Sequence, residues 1–406
     1  MHPLPKRLHI IAFDVPYPAD YGGVIDIYHK LESLHAQGVD IVLHMYHYGR
    51  KKNKTKLGKF CSKLYYYKRS TYKNPFIGST PYIVASRGSD LLLQRLTQDN
   101  APILFEGLHC TFHLKSSKLK NRFKIVRTHN IEHHYYRHLE KSESKYFKKY
   151  FFRLEAERLS KYEKVLKHAD LIAAISPNDE AHFDRKYGNT FYLPAFHSNN
   201  VIKYPRERGD FLLYHGNLAV PENYEAAKEL IRNVFSKLLV KCVIAGNNPP
   251  RGLMQLCLQY DNVELKTNLK TKTIHDLIAS AHINVLHTNQ NTGIKLKLLN
   301  ALYRGKFAVV NPLMVEGSGL EQLCAIGQNF DEMKTKIEEY LLLDYSQAYF
   351  EKRKQTLIEK FSNISGANKL IEHIDFPQEI KAGRRADNKI VQGLSQLSSF
   401  MSYFSL

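Results

Sequence analysis

The sequence predicts an α/β protein built from two doubly wound domains that face one another across a cleft. Three observations predict it. Short apolar runs alternate with helical stretches along most of the chain. The alternation lapses over 195–209 (AFHSNNVIKYPRERG), a polar stretch without periodicity, and then restarts. The length of 406 residues suits two domains of ordinary size.

The first half opens on 8–13 (LHIIAF), a run short and apolar enough for a buried parallel strand. A loop with Pro16, Pro18, Gly22 and Gly23 comes next, then a helix over 24–36 with Gly38 at its C-terminal cap, then a strand over 39–45. Further strands are expected at 103–105, 124–127 and 171–175, with a long charged helical stretch over 141–168. In the second half, strands are expected at 211–214, 240–245, 262–265, 284–287 and 308–310, with helices at 221–235 and 295–303. The expected division is a first Rossmann-like domain over 1–196 and a second over 210–340. Helices over 341–380 would return to the first domain, and 381–406 would form a tail. In such sheets ligands bind at the carboxyl ends of the strands, here in the cleft.

No apolar run approaches the about 18–20 residues a membrane span needs, and no secretory leader is evident, so the expected location is the cytoplasm. The five cysteines (Cys61, Cys110, Cys242, Cys257, Cys324) are widely spaced and form no CxxC pair, which fits buried free thiols. The formal net charge of +20 attracts polyanions. Its densest stretch, 51–73, carries nine Lys or Arg and no acid, interleaved with Tyr65, Tyr66, Tyr67 and Tyr72. A second stretch, 141–153 (KSESKYFKKYFFR), mixes four cations with five aromatics downstream of Lys141. Such stretches suit an anionic membrane surface, single-stranded nucleic acid, or a solvated basic face beside core aromatics. No RRM, KH or helix-turn-helix signature favours nucleic acid.

Four runs could carry chemistry. Pro18 to Gly23 places Gly22 and Gly23 where backbone can approach an anion at a helix start. His109 closes the run after the 103–105 strand, a position that points into the cleft, although most of the chain's 20 histidines must be structural. Arg127, His129 and Asn130, with Glu132, His133 and His134, form a dense polar run directly after a strand; hydrogen-bond donors lining a sugar pocket fit it better than a metal site. Finally, Gly293 opens a helix whose first turn carries Lys295 and Lys297. Lysine there opposes the helix dipole, so its placement favours an anionic ligand such as a diphosphate.

Taken in order, these runs resemble the retaining GT-B glycosyltransferases of the family-4 group, especially bacterial polysaccharide-assembly members. Gly22-Gly23 match that family's loop after the first strand, His109 its strand-end histidine, and Arg127-Thr128-His129-Asn130 its R-x-H-N run. Ser176-Pro177, His215-Gly216-Asn217-Leu218 with Pro221-Glu222-Asn223, Gly293 to Ala301, Val309-Val310 and Glu316-Gly317 match later elements. The resemblance implies transfer of a sugar from a nucleotide-diphosphate sugar to a glycan or lipid-linked glycan, with anomeric retention and no metal or other cofactor. It implies that Lys295 and Lys297 neutralise the leaving diphosphate and that His109 contacts the transferred sugar. Gly22, Gly23, Gly216, Asn217, Thr292, Gly293, Ile294 and Asn300 would hold the donor, and Arg127, His129 and Asn130 would shape the acceptor side. The two basic–aromatic stretches, 51–73 and 141–153, separately give the expectation of work at the inner face of the plasma membrane. Four positions depart from the family pattern. Asn300 and Thr292 stand where the family has glutamates, and the usual Arg and Lys near Gly216 are missing. A catalytically degenerate scaffold is therefore the rival reading, and a nucleic-acid-binding protein a weaker one. A dinucleotide oxidoreductase is weaker still, because the first βα turn lacks GxGxxG.

Overall fold

A computed structural model describes residues 6–72, 75–143, 145–204, 208–289 and 296–376. Seven strands make the first sheet: β1 (Arg7–Ala12), β2 (Asp40–His47), β3 (Lys63–Lys68), β4 (Ile103–Glu106), β5 (Lys124–Arg127), β6 (Leu171–Ala174) and β7 (Thr190–Tyr192). They pair in parallel in the order β3-β2-β1-β4-β5-β6-β7. The second sheet holds β8 (Phe211–His215), β9 (Lys241–Gly246), β10 (Val263–Thr267), β11 (Ile283–Leu286), β12 (Phe307–Val310) and β13 (Ala325–Ile326), in the parallel order β10-β9-β8-β11-β12-β13. This is the GT-B arrangement of two doubly wound sheets. Strand centres such as 8–12 are buried along their whole length, because helices cover both faces of a parallel sheet.

Each sheet reverses its winding once, between β1 and β4 in the first and between β8 and β11 in the second. A crevice opens at the carboxyl ends of the strands at such a switch point. Eight helices build the cleft walls and the crossings between domains: α1 (Gly22–Ala36), α2 (Glu132–Ser142), α3 (Tyr146–Tyr162), α4 (Pro177–Tyr187), α5 (Pro221–Asn233), α6 (Leu296–Arg304), α7 (Gln347–Phe361) and α8 (Asn363–Glu372). Leu357 and Phe361 of α7 pack into the second domain with Leu298 and Leu302. Ala367 and Leu370 of α8 pack into the first, with Ile27, Leu31 and Leu34 of α1. The expected tail, 381–406, lies outside the described residues.

One sequence expectation changes, and two segments gain detail. The stretch 141–168 is not one helix: α2 ends at Ser142, α3 begins at Tyr146, and Glu163–His168 tightens into a 3-10 turn. The segment 195–209 has no helix or strand among its described residues, yet Phe196, His197 and Asn199 are buried. It is a packed crossing between the two domains. The stretch 51–73 has its described lysines exposed beside packed aromatics, as a solvated basic face would have them. Its centre is the edge strand β3, where Tyr67 is buried and bonds His44 through its hydroxyl (2.8 Å), and Arg95 covers the Tyr65 ring at 4.1 Å. Lysines at both ends of β3 keep that sheet edge from pairing with another chain. The expectation missed this strand because three consecutive tyrosines between lysines show no alternation. All five cysteines are free thiols, four of them buried.

Candidate active site

The two switch points face each other. On the first domain, β1 leads into Phe13, whose ring lies 5.2 Å from His109 and 5.4 Å from His129, centroid to centroid. Gly23 has to be glycine here, since a Cβ would strike the Phe13 ring. Gly22 approaches the second domain, with its Cβ position 4.0 Å from Leu296 at the start of α6. His109 lies in the 3-10 turn Leu108–His113 directly after β4, and Gly107 takes a positive φ of 73° to make that turn.

Beneath these groups runs a buried ladder of charge. Asp26 and Lys30 of α1 sit at i, i+4 on the same apolar face as Ile27 and Leu31. The Lys30 ammonium donates to Asp26 Oδ2 (2.8 Å) and to Glu106 Oε1 (2.7 Å). His129 Nε2–H donates to Glu106 Oε2 (3.0 Å). Burial pushes both carboxyls up, but Arg127 and Lys30 hold Asp26 well below the usual carboxylate range, and Lys30 and His129 lower Glu106. Asp26, Glu106 and His129 converge closely enough to ligate a cation. The point between the two carboxylates is instead taken by the Lys30 ammonium, which supplies the positive charge itself.

Arg127 belongs to this ladder and not to the acceptor side. Its side chain is fully buried, with Nη2 donating to Asp26 Oδ1 (3.0 Å) and to the Pro194 carbonyl (3.2 Å), and Nη1 to the Leu193 carbonyl. With Nε donating to Asp26 Oδ2 (3.4 Å), four of the five guanidinium N–H groups are engaged inside the domain. His129 is held by the ladder at one nitrogen and meets the Phe13 ring edge-on, and Asn130 sits half-buried in the bend before α2.

On the second domain, β8 ends at His215-Gly216 and β11 at Leu286, followed by His287-Thr288. Lys297 Nζ donates to Asn223 Oδ1 (2.7 Å) and stands 5.5 Å over the Tyr214 ring. Asn223 Nδ2 donates to the Asn217 carbonyl (3.0 Å), and the Gly216 Cβ position lies 3.3 Å from the same Asn223 side chain. So Lys297, Gly216 and Asn217 come together around Asn223. Thr288 Oγ1 donates to Glu222 Oε1 (2.5 Å) at the same rim. Burial lowers the His215 imidazole to about 3, so it stays neutral there. Asn300 points elsewhere: its Oδ1 accepts from Asn199 Nδ2 (2.9 Å), tying α6 to the 195–209 crossing. Thr292, Gly293, Ile294 and Lys295 lie outside the described residues.

Sequence reasoning passed over Asp26, Lys30 and Asp179. The available signal for the first two was an acid and a base at i, i+4 on an otherwise apolar helix face. Asp179 carried none, because an acid in the first turn of a helix reads as ordinary capping.

Two facing doubly wound domains with their switch points opposed define the two-domain GT-B fold. Residues 209–341 match the family model "Glycosyl transferases group 1". The chain has the GT-B fold, and its second domain is similar to that glycosyltransferase family. It is similar to an uncharacterized 44.6 kDa protein in the cps region of Klebsiella pneumoniae, 26% identical over 331 residues, spanning 77% of this chain and 84% of that one. In fold it resembles HepE of Anabaena, solved in complex with UDP and glucose, at a TM-score of 0.62 and 11% identity over 90% of this chain and 98% of that chain. It also resembles the lipopolysaccharide outer core galactosyltransferase WaaB, at a TM-score of 0.60 and 12% identity over 90% and 98%.

Proposed function

We propose that the chain moves a sugar from a nucleotide-diphosphate sugar, held by the second domain, to a glycan or lipid-linked glycan during cell-surface polysaccharide assembly. The observation that carries this is Lys297. It is a cation at the switch point of the second sheet, grouped with Gly216, Asn217 and Asn223, across the cleft from Gly22 and His109. The similarity to a protein of a cps region and to a fold solved with UDP and glucose supports the same reading.

In this reading Lys297, with Lys295 and the backbone near Gly293, neutralises charge on the departing diphosphate. Electrostatic stabilisation of that kind is commonly the largest catalytic contribution. Gly22 and Gly23 close over the phosphates, and His109 meets the transferred sugar from the first domain. Closure of the cleft shields the donor from water. Lysines supply the positive charge, so turnover needs no metal. Retention of configuration is part of the proposal and rests on the family resemblance.

A thermal-shift screen against UDP-, GDP- and dTDP-sugars tests it, because a bound ligand raises apparent stability with its affinity. One donor class should raise the melting temperature and release its nucleoside diphosphate on turnover. Binding without turnover would favour the scaffold reading that the Asn300–Asn199 bond motivates. No response to any donor would overturn both.

The reading includes a cytoplasmic enzyme at an anionic membrane face, and α3 supports it. Tyr146 (82% exposed), Phe147 (83%) and Tyr150 stand out beside Lys145, Lys148, Lys149 and Arg153, next to exposed Phe76 and Ile77. Arg158 fixes the 75–76 backbone to α3 by bonding both carbonyls. No described helix is long and apolar enough to cross a membrane. Sedimentation with phosphatidylglycerol vesicles should fall when Tyr146 and Phe147 become serine, and unchanged sedimentation would remove this clause.

A further inference from the structure

The proposed mechanism uses His109 but leaves its neighbour Glu132 without a task. Glu132 is the first residue of α2 and only 4% exposed. Its Oε1 lies 3.8 Å from His109 Nδ1, and both atoms are sealed from solvent without a hydrogen-bond partner. Leaving two buried polar atoms unpaired costs about 1–3 kcal/mol each, which asks for a reason. The imidazole as a whole is one-fifth exposed, so the edge turned to the cleft is the opposite one, carrying Nε2. The pair borders the interdomain cleft. Tyr135, one turn further along α2, feels the charge of Glu222 in the second domain, and Asn178 of α4 touches Gly317 there.

We propose that Glu132 is a positioning residue for His109: its carboxyl, kept as the neutral acid, donates a hydrogen bond to Nδ1 and so fixes the imidazole proton on Nε2, where it is presented to the sugar. A separation of 3.8 Å needs to shorten by about 1 Å, and catalytic hydrogen bonds commonly tighten in this way when substrate binds. The assignment rests on the reading of His109 as the group that meets the sugar.

The charges around the pair agree with it. Burial, then the Asp179 carboxyl, pushes Glu132 up to about 8, against the opposing pull of the Arg87 guanidinium. Asp179 is itself raised to about 6 by burial, with its Ser176 bond, His182 and Arg127 opposing, and its Oδ2 has no partner. Tyr135 and Tyr136 on α2 also face Glu132. Burial, with Arg87 and His129 nearby, keeps His109 well below its ordinary value and therefore neutral. Near neutrality an uncharged acid then faces an uncharged imidazole. When Glu132 loses its proton to solvent, the carboxylate can only accept, so the imidazole proton moves from Nε2 to Nδ1 and the cleft edge becomes an acceptor.

The test needs no donor sugar. The full chain is labelled with nitrogen-15 at histidine, and long-range proton–nitrogen spectra are recorded against pH, with His109→Asn identifying the His109 signal. The wild type should show the Nε2–H tautomer near neutrality and convert to Nδ1–H with a midpoint near 8. Glu132→Gln, whose amide still donates, should hold the Nε2–H tautomer throughout, and Glu132→Ala should lose the preference. An Nδ1–H tautomer in the neutral wild type, or an unchanged alkaline transition in Glu132→Gln, overturns the proposal. If Glu132→Ala does not fold by circular dichroism, Glu132→Gln decides alone. A failure of the donor screen would leave this result untouched, so the two readings fall separately.

Discussion

The two walls of the cleft share a sheet topology and differ in how they hold their polar groups. The first domain does it with buried charge: Asp26, Lys30, Glu106 and Arg127 are all at most 1% exposed and lock one another, with His129 at the end of the ladder. The second uses uncharged amides and hydroxyls, Asn217, Asn223 and Thr288, around a few charges that stay close to solvent. A buried ion network is rigid because each member is costly without the others. An amide network tolerates exchange of partners. The first wall therefore holds its imidazoles in one place, and the second keeps its polar groups closer to solvent and to exchange.

The sharpest way to break that contrast is Arg127→Met. Removing one cation from the fully buried ladder should destabilise the protein by about 3–5 kcal/mol. Urea denaturation reads this, and a loss confined to activity would mean that Arg127 serves the acceptor after all. Lys297→Ala strikes the other wall and should do the reverse, lowering turnover about 100–1000-fold with an unchanged melting temperature. An unchanged rate would remove Lys297 from the diphosphate site.

Smaller effects sharpen the contact between the walls. Gly317 has a positive φ of 66°, and a Cβ there would strike the Asn178 side chain across the cleft. Gly317→Ala should weaken donor binding by about 1–3 kcal/mol through backbone strain and the clash together. Asn178→Ala should recover the part due to the clash, as read by thermal shift. The smallest effect is electrostatic. The folded-state value of Glu132 lies above the ordinary one, so the native state loses stability as pH rises from the usual carboxylate range to about 8. Glu132→Gln removes that loss, and its melting temperature should exceed that of the wild type by a margin that grows with pH across this window.

Much of this was legible in the sequence. Short apolar runs reported β1, β4, β5, β6 and β8 because a parallel strand buried on both faces has few polar positions to disguise it. The reason for Gly23 was not legible: the sequence suggested close approach to an anion, and the fold shows packing against the ring of Phe13. The edge strand β3 was hidden, because its tyrosines are packed by Arg95 and His44, partners distant along the chain. Arg127 was misplaced for a related reason. It sits in a run that matches a binding motif, and only folding reveals that Asp26, about a hundred residues earlier, engages its guanidinium.

The sequence by itself determined the two doubly wound domains and the glycine-bearing turn that follows the first strand of each. Hydrophobic periodicity and backbone permissiveness are properties of neighbouring residues, and they survive without tertiary structure. Only the tertiary structure decided which polar residues are spent on the scaffold and which are free to act. That division depends on burial and on pairing between distant residues. It separates Arg127 from His109, and it sets the carboxyl of Glu132 beside an imidazole that lies on another element of the fold.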